Sequence, residues 1–153
     1  HSSLKQRLGL RINSSSPVPP FLDLSTKSRK GEIWKPAPRY EELYMVSNHG
    51  RVKALAKVTF GKQQRWMPEK IQRMTVDFQT DSKGHEVPGS MQVLMTKEGK
   101  KTMLSVARIV YHTFVRPFDL SDKKNRIYYK DHNPLNVKPS NLILRDSTYS
   151  ITK

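Results

Sequence analysis

The chain has no cysteine. That excludes disulfides and any thiolate zinc site, and it suits a reducing, intracellular compartment, an organelle such as the mitochondrion included. Acidic residues are scarce: 13 Asp plus Glu stand against 28 Lys plus Arg, for a net charge of +15. A surplus of one sign that large repels itself unless a polyanion neutralises it. Nucleic acid is therefore the first partner to consider, and backbone contacts do not tell DNA from RNA. No apolar run approaches membrane-spanning length, and no basic amphipathic helix with a wide apolar face is visible, so no membrane partner is expected. His/Asp/Glu spacing suited to zinc is absent, and no internal repeat is apparent. The chain begins on His1 rather than Met, as a processed product, a tagged chain or a fragment would. A removed targeting peptide is compatible with that start.

What is present falls into four stretches. At 153 residues the chain suits one domain with a modest core, or two small modules. Residues 1–30 show no sustained period. Ser14-Ser-Ser-Pro-Val-Pro-Pro20 is an extended tract, and Lys5, Arg7, Arg11, Lys27, Arg29 and Lys30 spread positive charge along the stretch. It reads as a basic arm, disordered alone and able to order along a phosphate backbone; an inert leader fits equally well. Residues 31–60 read as a small β-rich module. Leu43 to Val46 is a strand, Ser47-Asn-His-Gly50 a turn with Gly50 at positive φ, and Arg51 to Leu55 the returning strand. Val52 and Leu55 should point inward, Arg51 and Lys53 outward. Trp34, Tyr40 and Tyr44 are expected to close the open face of the hairpin.

Residues 61–90 read as connecting strands and loops. Gly61-Lys-Gln-Gln-Arg65 is a basic loop, Ile71 to Phe78 a strand, and Asp81 to Gly84 and Pro88-Gly89 are turns. Residues 91–153 open with a hairpin, Met91 to Thr96 and Lys101 to Leu104. A one-faced helix follows Ser105, with Val106, Ile109, Val110 and Phe114 on its apolar side. Then come a short apolar strand, a loop with turn chemistry at Asp131, Asn133-Pro134 and Asn136, and a capped segment. Asn141 before Leu142 reads equally as a loop residue and as a helix N-cap. His49 and His85 are expected at the surface and His112 partly buried, none with a catalytic role.

The run Ile127-Tyr-Tyr-Lys-Asp-His-Asn-Pro-Leu-Asn136, followed by Pro139-Ser-Asn-Leu-Ile143, resembles the loop of HNH, or His-Me finger, nucleases of the homing-endonuclease type. Asp131, Asn133, Leu135, Asn136, Pro139, Asn141 and Leu142 fall on that loop without a gap. Residues 32–58, above all Glu42 to Lys53, resemble the small modular domain that precedes the HNH unit in phage and organelle homing endonucleases. In the family this module is associated with DNA binding. The resemblance implies an α+β fold: a small β-rich module, then a hairpin, a helix and a ββα finger. It also implies a general-base His, because imidazole titrates near neutral pH, and oxygen ligands for Mg²⁺.

Carried over residue by residue, the metal-binding acid falls on Tyr128 and the general base on Tyr129. The second metal-side Asn falls on Ser150 and the helix-opening His on Ala107, while the loop Asn is kept as Asn141. A phenol titrates near about 10, so it is no base at neutral pH. Asp131 and His132, with Asn141, offer a shifted Asp-His pair for the alternative in which activity survives; Mg²⁺ is then the cofactor, and otherwise there is none. The reading is a nucleic-acid-binding protein derived from such an endonuclease. It would be catalytically inactive and a structural component of a ribonucleoprotein, such as an organellar ribosome, beside other proteins of the assembly. The alternatives are an active metal-dependent DNA endonuclease and a non-cleaving DNA-binding protein. Phosphate contacts are expected from the six cations of the arm and from Arg51, Lys53, Lys62, Arg65, Lys100, Lys101, Arg108 and Lys138.

Overall fold

The computed structural model describes residues 19–59 and 61–145. Among these residues the fold is strand-rich with one α-helix, and every strand pairing is antiparallel. β1 (Trp34–Pro36), β2 (Tyr44–Ser47), β3 (Val52–Ala54) and β6 (Lys70–Ile71) form one sheet in the order β1-β2-β3-β6. The turn between β2 and β3 needs Gly50 for two reasons. Its φ is +85°, and a Cβ there would collide with the Val137 side chain.

Between β3 and β6 the chain makes a separate two-stranded ribbon, β4 (Lys57–Thr59) with β5 (Arg65–Met67). β7 (Met74–Thr80), β8 (Glu86–Lys97) and β9 (Lys100–Ser105) then form a three-stranded meander. The strand expected from Ile71 to Phe78 is thus two strands, one in each sheet. Pro88 and Gly89 do not form the expected turn; they lie inside β8, where the register with β7 shifts between Asp77 and Phe78. A bulge admits a proline without ending the strand, because the local ladder is already interrupted.

α1 (Val106–Phe114) begins where Ser105 Oγ accepts the Arg108 N–H at 3.4 Å. It buries Val106, Ala107, Ile109, Val110 and Tyr111, and packs against β2, β8, β9 and the last strand pair. Those faces share one core that includes Val46 and Val52 from the module, Val76, Met91, Val93 and Met95 from the meander, and Leu142. A hydrogen bond from Thr96 N to Tyr44 Oη, 2.9 Å, fastens the meander to the module. β10 (Arg126–Tyr129) pairs with β11 (Leu142–Arg145), Tyr129 opposite Leu142 and Tyr128 opposite Ile143. Asn141 therefore caps no helix. It ends a 3-10 turn, Pro139–Asn141, and the apolar residues after it continue as strand because β10 supplies a partner. The helix expected after β11, with Ser150, lies outside the described residues. No helix among the described residues is long and apolar enough to cross a membrane.

Candidate functional site

The β10–β11 connection is the place where the sequence resemblance puts chemistry. Strand alternation sets the two tyrosines on opposite sides. Tyr129 packs against the core, and burial pushes its phenol above its ordinary pKa. Tyr128 is 42% exposed, with the Arg145 guanidinium over its ring at 5.2 Å. Burial moves the Tyr129 phenol further from accepting a water proton at neutral pH.

The loop's polar residues are turned toward one another. Asp131 Oδ1 accepts the Asn133 N–H and Asn141 Nδ2, both at 2.9 Å, and its Oδ2 accepts Asn136 Nδ2 at 2.8 Å. These bonds, the one from Asn136 foremost, hold the Asp131 carboxyl below its usual range. Asn141 is buried and works with all its groups. Its Oδ1 accepts the Asp131 N–H at 3.1 Å, its Nδ2 also donates to the Asn136 carbonyl at 2.8 Å, and its own carbonyl accepts the Lys130 N–H. His132 takes φ 60°, its N–H donates to the Tyr129 carbonyl, and the residue is exposed. Asp131 and His132 are adjacent in sequence, and both carboxylate oxygens of Asp131 accept donors from the loop rather than from His132.

The described part of the loop supplies a single carboxylate toward a cation, and the second metal-side position, Ser150, lies outside the described residues. Among the described residues no three His, Cys, Asp or Glu side chains come together as a metal-binding group. Asp131 is the one carboxylate of the loop; it is exposed, and each of its oxygens accepts an amide donor from within the loop. A cleft of about 460 Å³ does open beside the loop, between Gln79 and Gly89 on one side and Tyr128, Tyr129, Lys130 and His132 on the other.

The expected phosphate contacts divide sharply. Arg51, placed outward by strand alternation, is 0% exposed. Its Nε and Nη2 donate to the two oxygens of Glu32 at 2.9 and 2.6 Å, and Glu32's side chain is fully buried as well. Its remaining N–H groups donate to the carbonyls of Asp23, Ser25 and Lys27. Burial would raise the Glu32 pKa, but the hydrogen bonds from Arg51, the Arg29 N–H and Ser47 prevail and hold it at about 2. Arg51 is thus a clip that lays residues 23–32 on the module, so this end of the expected free arm is bound to the fold. Within it, Arg29 pairs with Asp23 at 2.8 Å, while Lys27 and Lys30 are exposed.

Arg108 is likewise turned away from any phosphate. Its guanidinium donates to the carbonyls of Asn125, Leu120 and Asp122, closing the connection between α1 and β10. Lys53 is largely covered, 3.4 Å from Glu69 and 4.3 Å above the Trp34 ring. Lys62, Arg65, Lys100, Lys101 and Lys138 are exposed as expected. His49 links two of these regions: burial lowers its pKa, and Arg29 and Lys138 both lower it further against the attraction of Glu32. Lys5, Arg7 and Arg11 lie outside the described residues. Lys57 and Trp66 on the ribbon are exposed as well, and their signal in the sequence is an aromatic residue inside a run of basic ones.

Comparison with known proteins bears on the first half of the chain. Residues 32–77 match the NUMOD4 motif. This motif is found in HNH homing endonucleases, so the expected resemblance to such chains with their small modular domain is borne out. The NUMOD4 segment spans β1 to β6 and enters β7, further along the chain than residue 58. A solved structure of the HNH homing endonuclease I-HmuI, described for DNA binding and cleavage, is similar at 22% identity with a TM-score of 0.48. The match covers 78% of this chain and 56% of that one, so this chain spans little more than half the endonuclease's length. No curated protein matches the chain.

Proposed function

We propose that this chain binds nucleic acid on an HNH homing-endonuclease scaffold that has lost its catalytic residues, and that it serves as a structural component of a ribonucleoprotein such as an organellar ribosome. One observation carries the loss of catalysis: the loop that should present a base and a metal ligand is closed on itself. Tyr128 and Tyr129 stand at the reactive positions, and Asp131 is held by Asn133, Asn136 and Asn141. Hydrolysis of a phosphodiester needs an activated water and a cation beside the phosphate, and positions 128 and 129, where the base and the acidic ligand should stand, carry phenols instead. The NUMOD4 segment and the +15 charge support nucleic acid as the partner. A scaffold role fits a basic chain that keeps the fold and not the reactive groups.

Two measurements test this. Supercoiled plasmid incubated with the protein and Mg²⁺ or Mn²⁺ should show no nicking above a protein-free blank. Affinity for RNA and DNA should fall with salt at a log–log slope of roughly −0.7 to −0.9 per phosphate contact. Cleavage abolished by His132→Ala would overturn the inactive reading in favour of an endonuclease with a shifted site. A flat salt response would remove the charge surplus as the binding determinant.

A further inference from the structure

The β4–β5 ribbon contributes nothing to the core. Lys57 pairs with Met67, Val58 with Trp66 and Thr59 with Arg65. All are exposed except Thr59, which is half-buried. Directly opposed residues project to the same side, so Val58 and Trp66 share one face. Trp66 is 66% exposed, more than any other large apolar side chain described. Among the described residues it has no ring, cation or hydrogen-bond partner. Trp34 shows the contrast: it is half-buried, lies beneath Lys53 and Arg51, and donates to Ser28 Oγ. The opposed Val58 accounts for only a small share of the indole, which keeps most of its surface in water.

The surroundings of Trp66 have one sign of charge. From Lys57 to Arg73 the chain carries five basic residues and one acid, Glu69, which lies against Lys53. Lys57, Lys62 and Arg65 have no ion-pair partner among the described residues. A second copy of the ribbon would bring like charges together, and a protein partner would have to supply a dense acidic patch. A polynucleotide supplies both a negative backbone and flat apolar faces.

We propose that the ribbon binds single-stranded nucleic acid: the Trp66 indole stacks on an unpaired base while Lys57, Lys62 and Arg65 hold the flanking phosphates. This rests on the nucleic-acid-binding reading above and names the form of nucleic acid taken. In a duplex each base already has neighbours on both faces, so an exposed indole gains a partner only where a base is unstacked. Lysines and arginine alone would suit any backbone. The indole sets the preference.

The test uses the full chain and fluorescence anisotropy with three labelled probes: a short oligo-uridine RNA, the matching oligo-thymidine DNA and a duplex of the same length. Trp66→Ala should weaken single-strand binding by roughly 5- to 150-fold and leave duplex binding nearly unchanged. Trp66→Phe should retain most of the affinity, because a smaller ring still stacks. Lys62→Gln combined with Arg65→Gln should reduce the single-strand salt slope by about 0.7 for each phosphate no longer neutralised. The RNA and DNA arms then show whether the strand carries a 2′-hydroxyl preference. Thermal melts should coincide for wild type and the Trp66 variants, since the side chain is solvent-facing. A wild-type protein that binds none of the probes would overturn the nucleic-acid reading itself. If the wild type binds and Trp66→Ala loses nothing, or loses duplex and single strand equally, only the ribbon's role falls. Tighter binding of polyglutamate than of any oligonucleotide would overturn it in favour of an acidic protein partner.

Discussion

Replacing Arg51 separates a structural clip from a phosphate contact. In Arg51→Met the side chain stays long and apolar, but the Glu32 carboxylate loses both of its guanidinium hydrogen bonds while remaining fully buried. The carbonyls of Ser25 and Lys27 belong to exposed residues and can exchange the guanidinium for water, so their share is small. The stranded carboxylate dominates, and breaking a buried pair from one side costs about 3–5 kcal/mol. For a chain of this size that corresponds to a fall in Tm of roughly 6–20 °C. Urea unfolding followed by circular dichroism gives the global value. In a Trp66→Phe background Trp34, whose ring lies 5.4 Å from the guanidinium carbon, gives a local fluorescence signal. The double variant Arg51→Met, Glu32→Met should regain a substantial part of the loss, because a buried ion pair exchanged for apolar side chains is often neutral. Lys53→Gln, whose partner Glu69 is about half-exposed, should change stability by less than about 1 kcal/mol. Arg51→Met with near-native stability but weakened nucleic-acid binding would refute the reasoning and return Arg51 to the phosphate-facing surface.

Glu32 also predicts an acid limb. Its carboxyl is held at about 2 in the folded chain against an ordinary 4.5, so it stabilises fully above about pH 4.5 and loses that contribution as pH falls to about 2. The amount is on the order of 3 kcal/mol, and Glu32→Gln should flatten the dependence of unfolding free energy on pH in that window; equal slopes for both proteins would refute the assignment. Asn141→Ala should destabilise by about 1–3 kcal/mol, since the Asp131 N–H and the Asn136 carbonyl lose a buried partner, and should speed hydrogen exchange of the Asp131 amide. Unchanged exchange at that amide would show that the loop is held by other means.

Local rules were legible wherever one short-range pattern decided the structure. The Ser47–Gly50 turn, the hairpin around Gly99, and a helix capped by Ser105 all follow from turn chemistry and periodicity within a few residues. Arg51 was not legible, because the alternation that runs from it into β3 carries it outward only if no other segment covers that face. The covering segment, residues 23–32, has no periodicity of its own; its order comes from one guanidinium meeting three carbonyls and a carboxylate. Arg108 is the same case on a smaller scale, a helix cation turned back on a loop with too few backbone partners. Asn141 was ambiguous for a different reason. A Pro-Ser-Asn run before apolar residues suits a helix start and a 3-10 turn equally, and only the pairing of Leu142 with Tyr129 decides between them.

Under the proposed loss of catalysis, the hydrogen bonds of the loop between β10 and β11 account for a nuclease-like sequence pattern with phenols at positions 128 and 129. Asp131, Asn133, Asn136 and Asn141 bond to one another and to the loop backbone, and through Asn141 they join the end of β10 to the start of β11. Removing Asn141, the buried member, leaves the Asp131 N–H and the Asn136 carbonyl without their partner, whether or not a phosphodiester is ever cut. Tyr128 and Tyr129 are under no such constraint. Their backbone groups make the β10–β11 ladder with any side chain, and a ring at 129 adds apolar contact to the core. The residues that make the loop and those that would make the reaction are thus different sets. A match to the first implies the fold; the second must be sought separately, and at positions 128 and 129 it is a pair of phenols.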